Sequence, residues 1–194
     1  MAVVNVGIAT RPLAGQTVCG DDGAYWVGDE RIVLTLADGL GHGPEAARAS
    51  RAAVEAIGSG LHLGCAELFT RCDAALRSTR GAAQVVAIIE RASGRGTIAS
   101  VGNMRVQLLH DHSHSWFAST RGIVGAGYQN LDVQTVVLVS GDILIVYSDG
   151  LDEQSVPYGF CSSPDVPAAG QARMILDSMA HGRDDASVLV YHHG

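Results

Sequence analysis

Long apolar runs are missing from this chain, and basic residues are scarce in it. The longest uninterrupted apolar stretches, such as Ile143–Tyr147 and Val136–Val139, fall far short of the roughly 20 residues a membrane-crossing helix needs, so no membrane span is expected. The start of the chain has no basic residues ahead of its apolar stretch, which Asn5 and Gly7 interrupt; it does not read as a secretory leader, and a cytoplasmic protein is expected. With 13 Lys and Arg against 20 Asp and Glu, the formal charge is -7. That balance argues against a nucleic-acid binder, whose affinity rests on cations neutralising phosphates. Cys19, Cys65, Cys72 and Cys161 form no Cys-x-x-Cys pair, so reduced structural thiols are expected rather than a disulfide framework. The glycine-rich Arg121–Gly127 lacks both the phosphate-cradling Gly-Lys-Ser/Thr and a dinucleotide fingerprint, and Gly-x-Ser-x-Gly is absent, which sets aside nucleotide sites and serine hydrolases.

What is present is enough apolar material, 47% of 194 residues, for one substantial core. Val- and Ile-rich runs predict strands at Val3–Ala9, Ala24–Val27, Ile32–Ala37, Gln84–Glu90, Thr97–Val101, Arg105–His110, Leu131–Val139, Ile143–Ser148 and Ser187–His192. Helical patterning covers Pro44–Ile57, with Pro just inside its start, Ala66–Ser78 and Pro167–Met179. Turn residues at Ser93–Gly96 and Gly102-Asn103 join three of the strands into an antiparallel meander. Gly122–Gly127 reads as a loop. Segregated strands and helices predict an α+β fold with helices covering sheet faces.

Two strands carry the strongest chemical signal. Ile32-Val-Leu-Thr-Leu-Ala-Asp38-Gly-Leu and Ile143-Leu-Ile-Val-Tyr-Ser-Asp149-Gly-Leu are both apolar and both end in Asp-Gly-Leu. A buried strand delivers its last side chain to a fixed point, and a glycine beyond it leaves room for its carbonyl to approach an ion; carboxylate and carbonyl oxygens suit hard divalent cations. Asp21-Asp22 and Asp184-Asp185 flank two further strands and could complete a shared cage. Asp-Gly is also ordinary turn chemistry, so it is the set of four acidic sites, not any one of them, that carries the reading.

Taken in order, Gly20-Asp21, Asp38-Gly-Leu-Gly-His-Gly43, Gly102-Asn103, Ser148-Asp149-Gly-Leu and Arg183-Asp184-Asp185-Ala-Ser187 resemble the PPM family of metal-dependent protein phosphatases over about residues 1–192. The short chain and the Asp38-Gly-Leu-Gly form are similar to its SpoIIE branch, especially the RsbX-type phosphatases of bacterial stress signalling. The resemblance implies one phosphatase domain over residues 1–194, folded as a four-layer αββα sandwich of two stacked, mostly antiparallel sheets flanked by helices. It implies two Mn²⁺ or Mg²⁺ ions that activate a water to attack phosphorus. By the same resemblance Asp38 bridges the ions with the Gly39 carbonyl on one of them, Asp149 and Asp184 hold the other, and Asp21 reaches them directly or through water. Asp21 and Asp38 are then the expected catalytic residues. Asp22 is the adjacent alternative to Asp21, and Asp185 is expected to orient Asp184 or a water rather than to ligate.

The implied substrate is a phosphoserine or phosphothreonine on a protein, a STAS-domain component of a stress-signalling complex, met by a monomer with no nucleic-acid or membrane partner. Two family features are missing. Relatives with Asp-Gly-His place a histidine two residues after the bridging aspartate, whereas His42 stands four after Asp38. Where relatives hold an arginine for phosphate, this chain has Gln16, with Arg11 as a weak substitute. Asn103 is read as a hairpin-turn residue in the left-handed region. His110, His112 and His114 alternate as on a strand face but are read as a solvated hairpin tip rather than a Zn²⁺ site. Arg48 and Arg51 are read as a solvated helix face. The competing functions are a pseudophosphatase module that binds a phosphorylated partner, and a hydrolase of small phosphoesters.

Overall fold

A computed structural model describes residues 4–111, 113–152, 156–161 and 166–194. In chain order the elements are β1 (Asn5–Arg11), β2 (Asp21–Val27), β3 (Arg31–Gly39), α1 (Pro44–Gly58), α2 (Cys65–Leu76), β4 (Ala82–Glu90), β5 (Arg95–Val101), β6 (Arg105–His110), β7 (Ser113–Phe117), β8 (Gly122–Ile123), β9 (Gly127–Tyr128), β10 (Val133–Val137), β11 (Ile143–Tyr147), α3 (Ala168–Met179) and β12 (Ala186–His192). One sheet has the order β1-β12-β11-β6-β7 and the other β10-β5-β4-β3-β2; all their pairings are antiparallel. Among the described residues no helix is long and apolar enough to cross a membrane.

Period-2 alternation explains why the central strands read as unbroken apolar runs, because both of their faces are covered. In β11, Leu144 and Val146 enter the core between the sheets, while Ile143, Ile145 and Tyr147 pack toward α3. In β4, Val85, Ala87 and Ile89 face the inter-sheet core, and Val86 and Ile88 face α1 and α2. Each fully buried Leu or Ile contributes roughly 1.5–3 kcal/mol relative to exposure. The result is the expected four-layer αββα sandwich.

Several local expectations change. The predicted strand Leu131–Val139 is trimmed to Val133–Val137. Gly122–Gly127 is not a plain loop, since β8 and β9 pair as a short ribbon, and Val124 bridges Ala82 at the start of β4. At the β5–β6 turn, Gly102 rather than Asn103 takes the positive φ, 95°. Val3 and His112 lie outside the described residues.

The hairpin tip expected at His110–His114 is present, and it carries an edge strand that the polar sequence concealed. His110 pairs with Ser113 and Leu109 with His114, so the two imidazoles leave opposite faces of the ribbon. The His110 Nδ1 meets Asp142 Oδ1 at 2.6 Å, and His114 stacks edge-on against Trp116. The hydrogen bond to Asp142, and then its charge, raise the His110 pKa above its ordinary 6.5. A raised folded-state value means that this pair stabilises the fold fully below about 6.5 and loses its contribution as pH rises through the folded value. Melting curves over this range should show wild type gaining on His110→Gln as pH falls, with the gain absent from a matching Asp142→Asn pair.

Candidate metal centre

Antiparallel neighbours place the C-terminal end of one strand beside the N-terminal end of the next. At one end of the sandwich this brings the close of β3 against the opening of β2, and the close of β11 against the opening of β12. Asp21 stands directly opposite Asp38 in the β2–β3 register. Beyond β11, the Ser148 N–H donates to the Ser187 carbonyl at 3.1 Å, which holds the Ser148-Asp149 and Asp184–Ser187 segments side by side. Asp21 reaches across to the other sheet, its Oδ2 accepting from the Ser187 hydroxyl at 2.7 Å. Strand alternation turns Asp22 to the opposite face, where its Oδ1 accepts from the Gly23 N–H at 2.9 Å, so Asp21 is the residue of the pair that faces the site.

The carboxylates share one electrostatic field. Burial, the largest cause, pushes the Asp38 carboxyl well above the usual carboxylate range, and the charges of Asp21, Asp149 and Asp184 push it further. Asp21, only 5% exposed, is also raised by burial; hydrogen bonds from the Ser187 and Ser148 hydroxyls oppose this, and the charges of Asp185 and Asp184 add to it. Asp21 Oδ1 and Asp185 Oδ2 are buried without a hydrogen-bond partner. Such atoms cost free energy unless something neutralises them. Among the described residues, no three His, Cys, Asp or Glu side chains converge at metal-ligand spacing. Instead three of the carboxylates are held on one oxygen by a neutral donor: Asp149 Oδ2 by the Asn103 amide at 2.6 Å, Asp184 Oδ1 by the Asp185 N–H at 2.9 Å and Asp185 Oδ1 by the Leu13 N–H at 2.8 Å.

Three features were not legible in the sequence. Asn103 is the expected turn residue and also a donor to Asp149. His181 accepts the Arg183 N–H on Nδ1 at 3.0 Å, which leaves its proton on Nε2, and Nε2 donates to the Asp149 carbonyl at 3.1 Å. Together with the His181 N–H to Gly150 carbonyl bond, this ties the Asp149 turn to the segment that leads to Asp184. Last, the glycines after the two aspartates have a packing role the sequence reading did not assign. A Cβ on Gly39 would overlap the Ala46 carbonyl of α1, and one on Gly150 would overlap the Asp185 backbone.

The remaining candidates fall elsewhere. His42 is exposed in the loop between β3 and α1. Arg11 pairs with Asp177 on α3, away from its suggested role as a phosphate donor. Asp185 is buried; its Oδ1 accepts from the Leu13 N–H and its own N–H donates to Asp184 Oδ1. All four cysteines are free, and burial pushes their thiols up, Cys19 and Cys72 to about 12 and Cys161 to about 11, so none has the thiolate character a cysteine nucleophile needs.

Two stacked antiparallel sheets between helices, with aspartates gathered at one end, define the PPM class of protein serine/threonine phosphatases. The family described as Stage II sporulation protein E (SpoIIE) matches residues 28–193, and the chain belongs to that family. Phosphoserine phosphatase RsbX of Bacillus subtilis (strain 168) is 28% identical over 140 residues, 71% of this chain and 70% of that protein. A solved chain described under "The bacterial stressosome: a modular system that has been adapted to control secondary messenger signaling" is 32% identical with a TM-score of 0.93, covering 98% of this chain and 100% of its own. RsbX in complex with magnesium superposes with a TM-score of 0.85 at 20% identity, covering 99% of this chain and 100% of that one. Within the PPM class, this chain is an RsbX-like protein serine/threonine phosphatase of the SpoIIE branch.

Proposed function

We propose that this phosphatase is metal-dependent and removes phosphate from phosphoserine or phosphothreonine on a STAS-domain protein of a stress-signalling complex. The observation that carries the metal reading is the Asp21–Asp38 pair, in which Asp21 is buried with one oxygen unpartnered and the half-buried Asp38 is repelled by its charge. That arrangement fits hard divalent cations, Mn²⁺ or Mg²⁺, two of them on the family pattern. Asp38, the Gly39 carbonyl, Asp149 and Asp184 would hold them, with Asp21 contributing directly or through water. When bound, such a pair supplies an activated water and offsets the charge that develops at phosphorus. The chain's own residues hold the geometry: Ser187 fixes Asp21, Asn103 fixes the Asp149 carboxylate and His181 fixes the Asp149 carbonyl.

The choice of substrate is supported by the likeness to RsbX and to the chain solved in the stressosome context. The expected result is Mn²⁺-dependent phosphate release from a phosphorylated STAS domain that ceases with EDTA. Undiminished release in EDTA would refute the metal dependence. Binding of the phosphorylated partner in Mn²⁺ with no release would favour a pseudophosphatase.

A further inference from the structure

A phosphoryl group that arrives here meets a site walled by Asp21, Asp38, Asp149 and Asp184 on a chain of formal charge -7. Beyond what bound cations neutralise, its non-bridging oxygens are best held by hydrogen-bond donors that carry positive charge. Position 16 supplies none, because the Gln16 amide is uncharged; its Oε1 lies 3.3 Å from where a Cβ on Gly43 would be, on the flank of the loop that joins Asp38 to α1.

Most nearby arginines are committed. Arg11 pairs with Asp177, Arg183 with Asp152, and Arg48 with Glu45 and the Ser78 carbonyl. Arg80 is exposed and makes no hydrogen bond or ion pair with any described residue. Its side chain reaches the same loop: Nη1 lies 2.8 Å from the position a Cβ on Gly41 would occupy, a space glycine leaves open. The base of Arg80 is fixed. The Thr79 N–H and hydroxyl both donate to the Leu76 carbonyl at the end of α2, the Gly81 N–H donates to Thr79 Oγ1 at 3.0 Å, and the Leu40 N–H donates to the Gly81 carbonyl at 3.0 Å. Since Gly39 pairs with Ala82 and Asp38 with Ala83, Arg80 projects from just beyond the strand end that carries Asp38. The chain has no lysine, and a guanidinium presents two parallel N–H donors to a phosphoryl group, which an ammonium does not.

We propose that Arg80, lying against Gly41 in the loop that joins Asp38 to α1, grips the phosphoryl oxygens of the phosphoserine or phosphothreonine substrate. This assignment rests on the phosphatase reading above. It makes Arg80 a substrate-binding residue whose effect falls on KM and on affinity for the product, inorganic phosphate.

The test uses the full chain with Mn²⁺ and a phosphoserine peptide, and compares wild type, Arg80→Ala, Arg80→Lys and Arg51→Ala. Loss of a charge-assisted pair of hydrogen bonds predicts that Arg80→Ala raises both KM and the inhibition constant of inorganic phosphate about 10- to 100-fold. Mn²⁺ affinity and the melting curve should stay at wild-type values, Arg80→Lys should recover part of the loss, and Arg51→Ala should match wild type. If Arg80→Ala melts early, Arg80→Gln carries the same comparison. Wild-type KM and phosphate inhibition in a folded Arg80 variant would overturn the assignment and leave the phosphatase reading intact. A wild-type protein with no Mn²⁺-dependent turnover would overturn the phosphatase reading, and this assignment with it.

Discussion

Asp38→Asn is expected to lower metal-dependent phosphate release by about a thousandfold or more, about 4 kcal/mol of transition-state stabilisation, while making the cation-free protein harder to melt. The two effects share one cause. Asp38 faces Asp21 across the β2–β3 pair, and burial together with the charges of Asp21, Asp149 and Asp184 holds its carboxyl far above its ordinary value. A carboxyl whose pKa is raised in the folded state costs stability at every pH above its ordinary unfolded value, because the unfolded chain ionises it freely while the fold must keep it protonated or bear its charge. Asparagine keeps the shape and cannot ionise in either state, so near neutral pH this cost disappears, with a rise in Tm of roughly 2–4 °C for each kcal/mol relieved. Added Mn²⁺ reverses the order, because ligand stabilises only the state that binds it, and wild type should gain more than the variant. Differential scanning with and without Mn²⁺ reads both halves. A variant that melts below wild type without metal would contradict the repulsion argument.

Gly39→Ala is expected to be the most damaging single-methyl change at the site. The added Cβ would overlap the Ala46 carbonyl oxygen and stand 2.6 Å from its carbon, atoms of the α1 backbone that no rotamer change can move. The helix must then lift from the sheet, at about 3 kcal/mol or more, the upper range of overpacking costs. Five alanines buried along α1, at positions 46, 47, 49, 53 and 56, set this close approach, so a small displacement opens several contacts together. Because Gly39 follows Asp38 directly, Mn²⁺ affinity should fall along with Tm. An unchanged melting curve for Gly39→Ala would show that the close packing of α1 on β3 does not matter.

Asp38 and Asp149 were legible in the sequence because each ends a strand buried on both faces, so its position follows from the strand alone. Asp21 was preferred to Asp22 through family resemblance, and the β2–β3 register supplies the physical reason, since only Asp21 shares a face with Asp38. What the sequence concealed is set by contacts distant along the chain. The bond from Ser187 to Asp21 spans the two sheets, and the hold of His181 on the Asp149 carbonyl depends on the turn after α3. The packing role of Gly39 depends on a helix several residues later, so its glycine was credited only with access to an ion. Strand β7 was missed for a different reason. Ser113–Phe117 lies at a sheet edge with its residues largely exposed, so no alternation of apolar and polar residues marks it.

The central claim is that the aspartates at the ends of β3 and β11, with those beside them on β2 and before β12, form one divalent-cation centre. Anomalous scattering from crystals grown with Mn²⁺ tests it most directly. The account predicts strong density between Asp38 and Asp149, flanked by Asp21 and Asp184. Density confined to the His110–His114 hairpin, with none at Asp38, would contradict it.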